Sequence, residues 1–225
     1  MRKENGKFYL MPSRIKYSLV FLAISLLIIS CKQHQKEYNP PTIDESILQE
    51  GDIAFRRGYS MASRMVLTAD KSSTYSHAGI IVHDGSGWKV IHAVPGETDK
   101  ENPEERIKKE TLTQFYAPDK SKQGAIYRLD TSMQIREIAV KKAKELYQRK
   151  LLFDHDYDSE DSTKIYCTEL LYFSYRTAGI DLTEGRRTTY PGFKQHFILP
   201  QDIVKNKLLK KIFVYSLNSQ KDSVK

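Results

Sequence analysis

Tyr166-Cys167-Thr168-Glu169-Leu170-Leu171-Tyr172-Phe173 is the stretch on which the reading of this chain turns. A polar, turn-rich run, residues 154–163, precedes it. Leu170, Leu171, Phe173, Ser174 and Ala178 follow at helical spacing, and Gly179 marks a stop. The pattern predicts a helix that starts at or near Cys167. Backbone N–H groups are unpaired at such a start, and the helix dipole favours negative charge there. The expectation is a lowered thiol pKa, with thiolate, the nucleophilic form, available near neutral pH. The plainer alternative is a small apolar cysteine packed beneath a helix.

The partner for such a sulfur is sought upstream. Ser76-His77-Ala78-Gly79-Ile80-Ile81-Val82-His83 reads as a strand, and Asp84-Gly85-Ser86-Gly87 as a hairpin turn. Trp88-Lys89-Val90-Ile91-His92-Ala93-Val94 returns and stops at Pro95-Gly96. A period of two puts His77, Gly79, Ile81 and His83 on one face, and Val90, His92 and Val94 on one face of the returning strand. Folding about residues 84–87 leaves His83 solvated beside the turn. It brings His92 or its neighbour near His77 or Ala78. One imidazole takes a thiol proton, and a second group fixes its tautomer and tilt. Either histidine alone is equally compatible with a satisfied strand position. A zinc site of two histidines and Cys167 is the weaker alternative, because no C-x-x-C or H-x-x-x-H pair is present.

Other elements follow from local patterns. Gly51-Asp52-Ile53-Ala54-Phe55-Arg56 is a turn and a strand, and residues 60–67 have helical spacing. Residues 97–110 are a charge run, read as a solvated loop. Thr111-Leu112-Thr113-Gln114-Phe115-Tyr116 is a short helical turn, and Gly124-Ala125-Ile126-Tyr127-Arg128-Leu129 a strand. Ser132 caps a helix reaching about residue 149. Asp154, Asp156 and Asp158 alternate, but the glycine and distal glutamate of a calcium loop are missing from their places. The turn around Arg186-Arg187 is a candidate for an anionic substrate group, or simply an exposed loop. Lys210-Lys211-Ile212-Phe213-Val214-Tyr215 is a final strand, and residues 218–225 a frayed tail.

The first 43 residues read as targeting and tether. Arg2, Lys3, Lys7, Arg14 and Lys16 precede an uncharged run, residues 17–29, too short for a comfortable membrane span. Ile28-Ile29-Ser30-Cys31 resembles a bacterial lipoprotein lipobox. The resemblance implies a signal peptide over 1–30, cleavage before Cys31 and diacylglyceryl attachment to its sulfur; an uncleaved anchor helix is the alternative. Residues 31–43 are a polar, proline-interrupted tether, and 44–217 the folded domain. Acylation anchors a protein to a membrane without a spanning helix.

Composition limits the function. The chain has 225 residues, 40% hydrophobic, with a formal charge of +8. That suits one globular core. Removing residues 1–30 leaves 31 basic and 27 acidic residues, or +4. Such a surface lacks the footprint of a nucleic-acid binder. With Cys31 acylated, Cys167 has no disulfide partner in the chain. An idle free thiol is disfavoured in an oxidising envelope compartment, which argues for a working one.

Three stretches in this order, Gly51-Asp52-Ile53-Ala54-Phe55-Arg56-Arg57-Gly58, Ser76-His77-Ala78-Gly79-Ile80-Ile81 and Tyr166-Cys167-Thr168-Glu169-Leu170, resemble the YiiX-like bacterial cysteine hydrolases of the NlpC-type superfamily. The resemblance covers about residues 48–215. It implies an α+β, circularly permuted papain-like fold: an antiparallel sheet packed against helices, with the nucleophile at a helix N-terminus. It also implies Cys167 as nucleophile, His77 as base and His92 in the place of the third polar residue. Close relatives carry glutamate at that place and the wider superfamily histidine. Tyr166, beside the nucleophile, is a candidate for substrate or oxyanion contact, or only packs. No metal or organic cofactor is expected. The expected function is a membrane-anchored cysteine hydrolase of the cell envelope that cleaves an amide, such as a peptidoglycan peptide, through a thioester. The alternatives are a thiol-dependent lipid hydrolase or acyltransferase, and a non-catalytic envelope binding module.

Overall fold

A computed structural model describes residues 39–98, 103–157, 163–189 and 196–217. The leader, the lipobox cysteine Cys31, most of the tether and the C-terminal tail lie outside the described residues. Among those described, no helix is long and apolar enough to cross a membrane.

The centre is a six-stranded antiparallel sheet in the order β10-β5-β1-β2-β3-β4. Its strands are β1 (Ile53–Arg57), β2 (His77–His83), β3 (Trp88–Ala93), β4 (Ile107–Thr111), β5 (Gln123–Leu129) and β10 (Leu209–Ser216). Two-residue strands make two small pairs: β6 (Leu152–Phe153) with β7 (Lys164–Ile165), and β8 (Thr188–Thr189) with β9 (His196–Phe197). The helices are α1 (Met61–Ala69), α2 (Leu112–Phe115), α3 (Met133–Gln148), α4 (Cys167–Thr177) and α5 (Pro200–Val204).

Alternation along the strands divides the core in two. Ile53, Phe55, Ala78, Ile80, Val82 and Ile91 face a cluster that contains Ala139, Ala143 and Leu146 of α3 and Leu170, Leu171 and Tyr175 of α4. Ala54, Ile81, Val90 and Ile126 face the opposite cluster with Leu112, Phe115 and Tyr116. Both faces of β2 are therefore covered, which accounts for its unbroken run Ile80-Ile81-Val82, each fully buried. Burying each such side chain contributes roughly 1.5–3 kcal/mol.

The helix that begins at Cys167 ends as its sequence implies. Gly179 adopts φ +81°, the left-handed region that a side chain disfavours. Its N–H donates to the Arg176 carbonyl, and that of Ile180 to the Tyr175 carbonyl, 3.0 Å each. These two bonds close the helix as a Schellman motif.

The charge run was expected to be a solvated loop, and part of it is not. Residues 107–111 form β4, paired to β3 with His92 opposite Lys108. Lys108 and Glu110 are buried. Charged side chains enter a sheet when they find ionic partners on its buried face. Here Glu97, Glu110, Lys108 and Lys120 supply one another.

Candidate active site

A cleft of ≈ 1090 Å³ lies where β1 ends and β2 begins. Arg56, His77, Glu97, Glu110, Tyr166, Cys167 and Thr168 are among the residues that line it. The sequence-predicted pair, His77 and Cys167, thus comes to one cavity. His77 is the first residue of β2, and Cys167 the first of α4.

The N-terminus of α4 is held by bonds on both sides of the cysteine. Tyr166 is extended, and its N–H donates to Glu169 Oε2 at 3.2 Å. The Tyr166 hydroxyl accepts from the Ile198 N–H at 3.2 Å. The Thr168 hydroxyl donates to the Ile198 carbonyl at 2.6 Å. One residue, Ile198, is thereby gripped by both neighbours of Cys167, which fixes the direction in which the thiol leaves the helix. Tyr166 is buried, and its ring packs against Tyr157 at 5.2 Å.

The thiol departs from expectation. Cys167 is half-buried, and loss of surrounding water pushes its thiol up to about 11, against hydrogen bonding from the Ala78 amide and from Thr168. A helix start favours thiolate only to the extent that water or a cation also reaches the sulfur. The resting group at neutral pH is the thiol. The Ala78 amide belongs to the residue next to His77, so the sulfur rests against the start of β2. Sulfur and ring share no direct hydrogen bond among the described residues; unliganded sites often tighten such bonds only when substrate arrives.

The histidines form the pair that the hairpin implied. His77 Nε2 lies 2.9 Å from His92 Nδ1, and the rings meet edge to face at 5.0 Å. The β2–β3 register sets Ile80 opposite Ile91. One further step sets His92 opposite Gly79. A Cβ on Gly79 would come within 2.5 Å of Val90 Cγ1 and 3.0 Å of His92 Cβ. The glycine leaves the room through which the His92 ring leans toward His77. Phe115 closes the pocket, 5.7 Å from His77 and 5.1 Å from His92.

Behind the pair stands a charged network. His92 Nε2 lies 3.1 Å from Glu110 Oε2. Glu110 Oε1 takes Lys108 Nζ at 2.7 Å and Lys120 Nζ at 2.9 Å. Glu97 bonds the buried Arg56 and lies 3.4 Å from each lysine. Burial holds His77 well below the usual histidine value, helped by the Arg56 charge. Burial likewise depresses His92 to about 4, although Glu110 opposes it. Burial resists ionisation of Glu110, but bonds from His92, Lys108 and Lys120 outweigh it and hold the carboxyl far below its ordinary range. At neutral pH the site therefore has neutral imidazoles and an ionised Glu110.

Glu110, Lys108, Lys120 and Arg56 escaped the sequence reading. The signal present was period two: Lys108 and Glu110 alternate as His77 and Gly79 do. The Arg186-Arg187 turn is spent internally. Arg186 bonds the Asp202 carbonyl and Glu184, and Arg187 lies 4.6 Å over the Tyr172 ring and bonds Thr183. His83 is exposed and packs on Trp88. Among the described residues, no group of three or more His, Cys, Asp or Glu side chains is placed to hold a metal ion.

A helix-borne cysteine facing a cleft shared with histidines that precede it in the chain is the arrangement of a permuted papain-like cysteine hydrolase. The comparisons agree. A family model described as permuted papain-like amidase enzyme, YaeF/YiiX, C92 family, matches residues 47–213. The chain belongs to that family of cysteine peptidases and amidases. A solved structure titled metalloprotein yiiX from Escherichia coli O157:H7 superposes with TM-score 0.60 at 19% identity, over 75% of this chain and 98% of that one. No curated protein matches.

Proposed function

We propose that this hydrolase acts at the bacterial cell envelope, held to a membrane by acylation of Cys31, and cleaves the amide of a peptidoglycan peptide or another small amide. The observation that carries the catalytic part is the placement of His77 and Cys167 on one cleft, with the Ala78 amide on the sulfur. Neutral His77 accepts the thiol proton as the Cys167 sulfur attacks the carbonyl carbon. The C–N bond then breaks, the amine leaves with the proton from His77, and a thioester remains. Water, deprotonated by the same imidazole, releases the acid and restores the thiol. Backbone N–H groups in the first turn of α4 are the donors for the oxyanion. His92 orients His77, and Tyr166, its hydroxyl tied to Ile198, serves as cleft wall.

A second reading, a thiol-dependent lipid hydrolase or acyltransferase, draws on α1 and the residues just before it. Tyr59 and Met65 line the cleft and are 46% and 61% exposed. An apolar rim of that kind suits an acyl chain. Incubation with peptidoglycan stem peptides and, separately, with phospholipid vesicles, followed by mass analysis, decides between them. Free amine and acid from the peptides support the amidase. Lysolipid or acyl transfer alone would replace it by the second reading. Loss of both activities in Cys167→Ala is expected. Equal labelling of wild type and that variant by an activity-based thiol probe would remove the catalytic assignment. Globomycin-sensitive processing and membrane partition lost in Cys31→Ala test the anchor.

A further inference from the structure

The contacts of Glu110 leave one consistent arrangement of protons along the cleft wall. Its Oε1 receives two ammonium groups, at 2.7 and 2.9 Å, and its Oε2 faces His92 Nε2 at 3.1 Å. A carboxylate so placed only accepts. His92 must then carry its proton on Nε2, which leaves Nδ1 bare. His77 Nε2, 2.9 Å away, must donate to that bare nitrogen. A neutral imidazole with its proton on Nε2 keeps its lone pair on Nδ1. We propose that Glu110 is a positioning residue: acting through His92, it sets the tautomer of His77 so that Nδ1 is the acceptor for the Cys167 proton. This deepens the amidase reading by adding a fourth member to the site, 18 residues beyond His92 on the next strand.

An isosteric change reverses the arrangement. In Glu110→Gln one side-chain end accepts and the other only donates. Lys108 and Lys120 can only donate, so they retain the amide oxygen. The amide nitrogen then faces His92 Nε2. Of these partners only imidazole can exchange donor for acceptor by changing tautomer. His92 would accept at Nε2 and donate from Nδ1, and His77 would accept at Nε2. The proton of His77 moves to Nδ1, where the base needs a lone pair.

The test is ¹⁵N–¹H correlation of imidazole nitrogens in ¹⁵N-histidine-labelled protein at pH 7.5, assigned with His77→Gln and His92→Gln. Wild type should show both rings protonated at Nε2 and bare at Nδ1. Glu110→Gln should show the reverse at both, with kcat lower by up to about 10⁴-fold, the scale of a reversed base tautomer in a serine protease. KM should stay within about threefold, since nothing that binds substrate has been removed. Glu110→Asp, which retains the charge, should keep the wild-type tautomers. Wild-type rings protonated at Nδ1, or a folded Glu110→Gln protein with wild-type tautomers, would overturn the proposal. Should Glu110→Gln not fold, the wild-type spectrum alone decides. The spectrum needs no substrate, so a failure of the amidase reading is told apart from a failure of this one.

Discussion

His77 Nε2 and His92 Nδ1 stand 2.9 Å apart on adjacent strands, with the His92 ring fully buried and the His77 ring at the cleft wall. The contact commits one nitrogen of His77 and leaves the other for the substrate side. Removing His92 should therefore harm turnover more than binding. In His92→Gln, which removes the orienting ring without forcing the proton of His77 onto Nδ1, we expect kcat to fall by roughly ten- to a hundredfold and KM to move little, as for loss of an interaction that matters in the transition state. In His77→Ala the loss should reach about 10²–10⁴-fold with the circular dichroism spectrum unchanged. Steady-state kinetics on the peptide substrate separate the two patterns; full activity of His77→Ala would remove it as the base.

The half-buried thiol makes a second prediction. With Cys167 at about 11, thiolate at pH 7 amounts to about one molecule in 10⁴. Alkylation by iodoacetamide should climb tenfold per pH unit from 6 to 9. A resting thiolate–imidazolium pair would instead show a flat, fast rate at low pH. The measured rate profile decides between the two.

Acid should unfold the site through its histidines. His92 has a folded value of about 4 and an ordinary one of 6.5, so the unfolded chain binds more protons between those values. The stability it contributes is complete above pH 6.5 and is lost as pH falls toward 4. By linkage the loss is of order 3 kcal/mol. His77 is depressed as well and acts in the same direction. Thermal unfolding from pH 7.5 to 4.5 should show Tm falling less steeply in His92→Gln than in wild type. Parallel slopes would count against a buried neutral His92.

Gly79 carries the fourth prediction. A methyl there meets Val90 and the stem of His92 at distances that side chains do not occupy. Gly79→Ala should cost about 1–3 kcal/mol by overpacking, read as a lower urea midpoint. It should also lower kcat by tilting the His92 ring away from His77. Gly85→Ala is the contrast: a Cβ there meets nothing within 4 Å, so although its φ of +81° strains the turn and lowers the urea midpoint as well, kcat should hold.

What could be read in advance was what depends on neighbours in sequence. Cys167 at a helix start follows from the spacing of Leu170 to Ala178, and the His77–His92 meeting from a hairpin turn and a period of two. Gly179 as a stop and Ser132 as a cap are equally local: Ser132 Oγ accepts from the Ile135 N–H. The strand at residues 107–111 was hidden because Lys-Lys-Glu has the composition of a solvated loop. Only the partners Glu97 and Lys120, distant in sequence, make its burial affordable. The thiol pKa failed for a similar reason. A helix N-terminus can be inferred from pattern, but how closely residues 197–200 and the start of β2 crowd it cannot.

The clasp of Tyr166 and Thr168 on Ile198 has a consequence for biosynthesis. A ribosome delivers the imidazole hairpin about ninety residues before the sulfur, and the clasp some thirty residues later still. The parts of the site are thus spread over about 120 residues of chain, from His77 to Ile198, and the last of them to be made is the one that holds the first turn of the cysteine helix. A product that ends before Ile198 lacks both bonding partners of the clasp, and neither neighbour of the sulfur is then tied down.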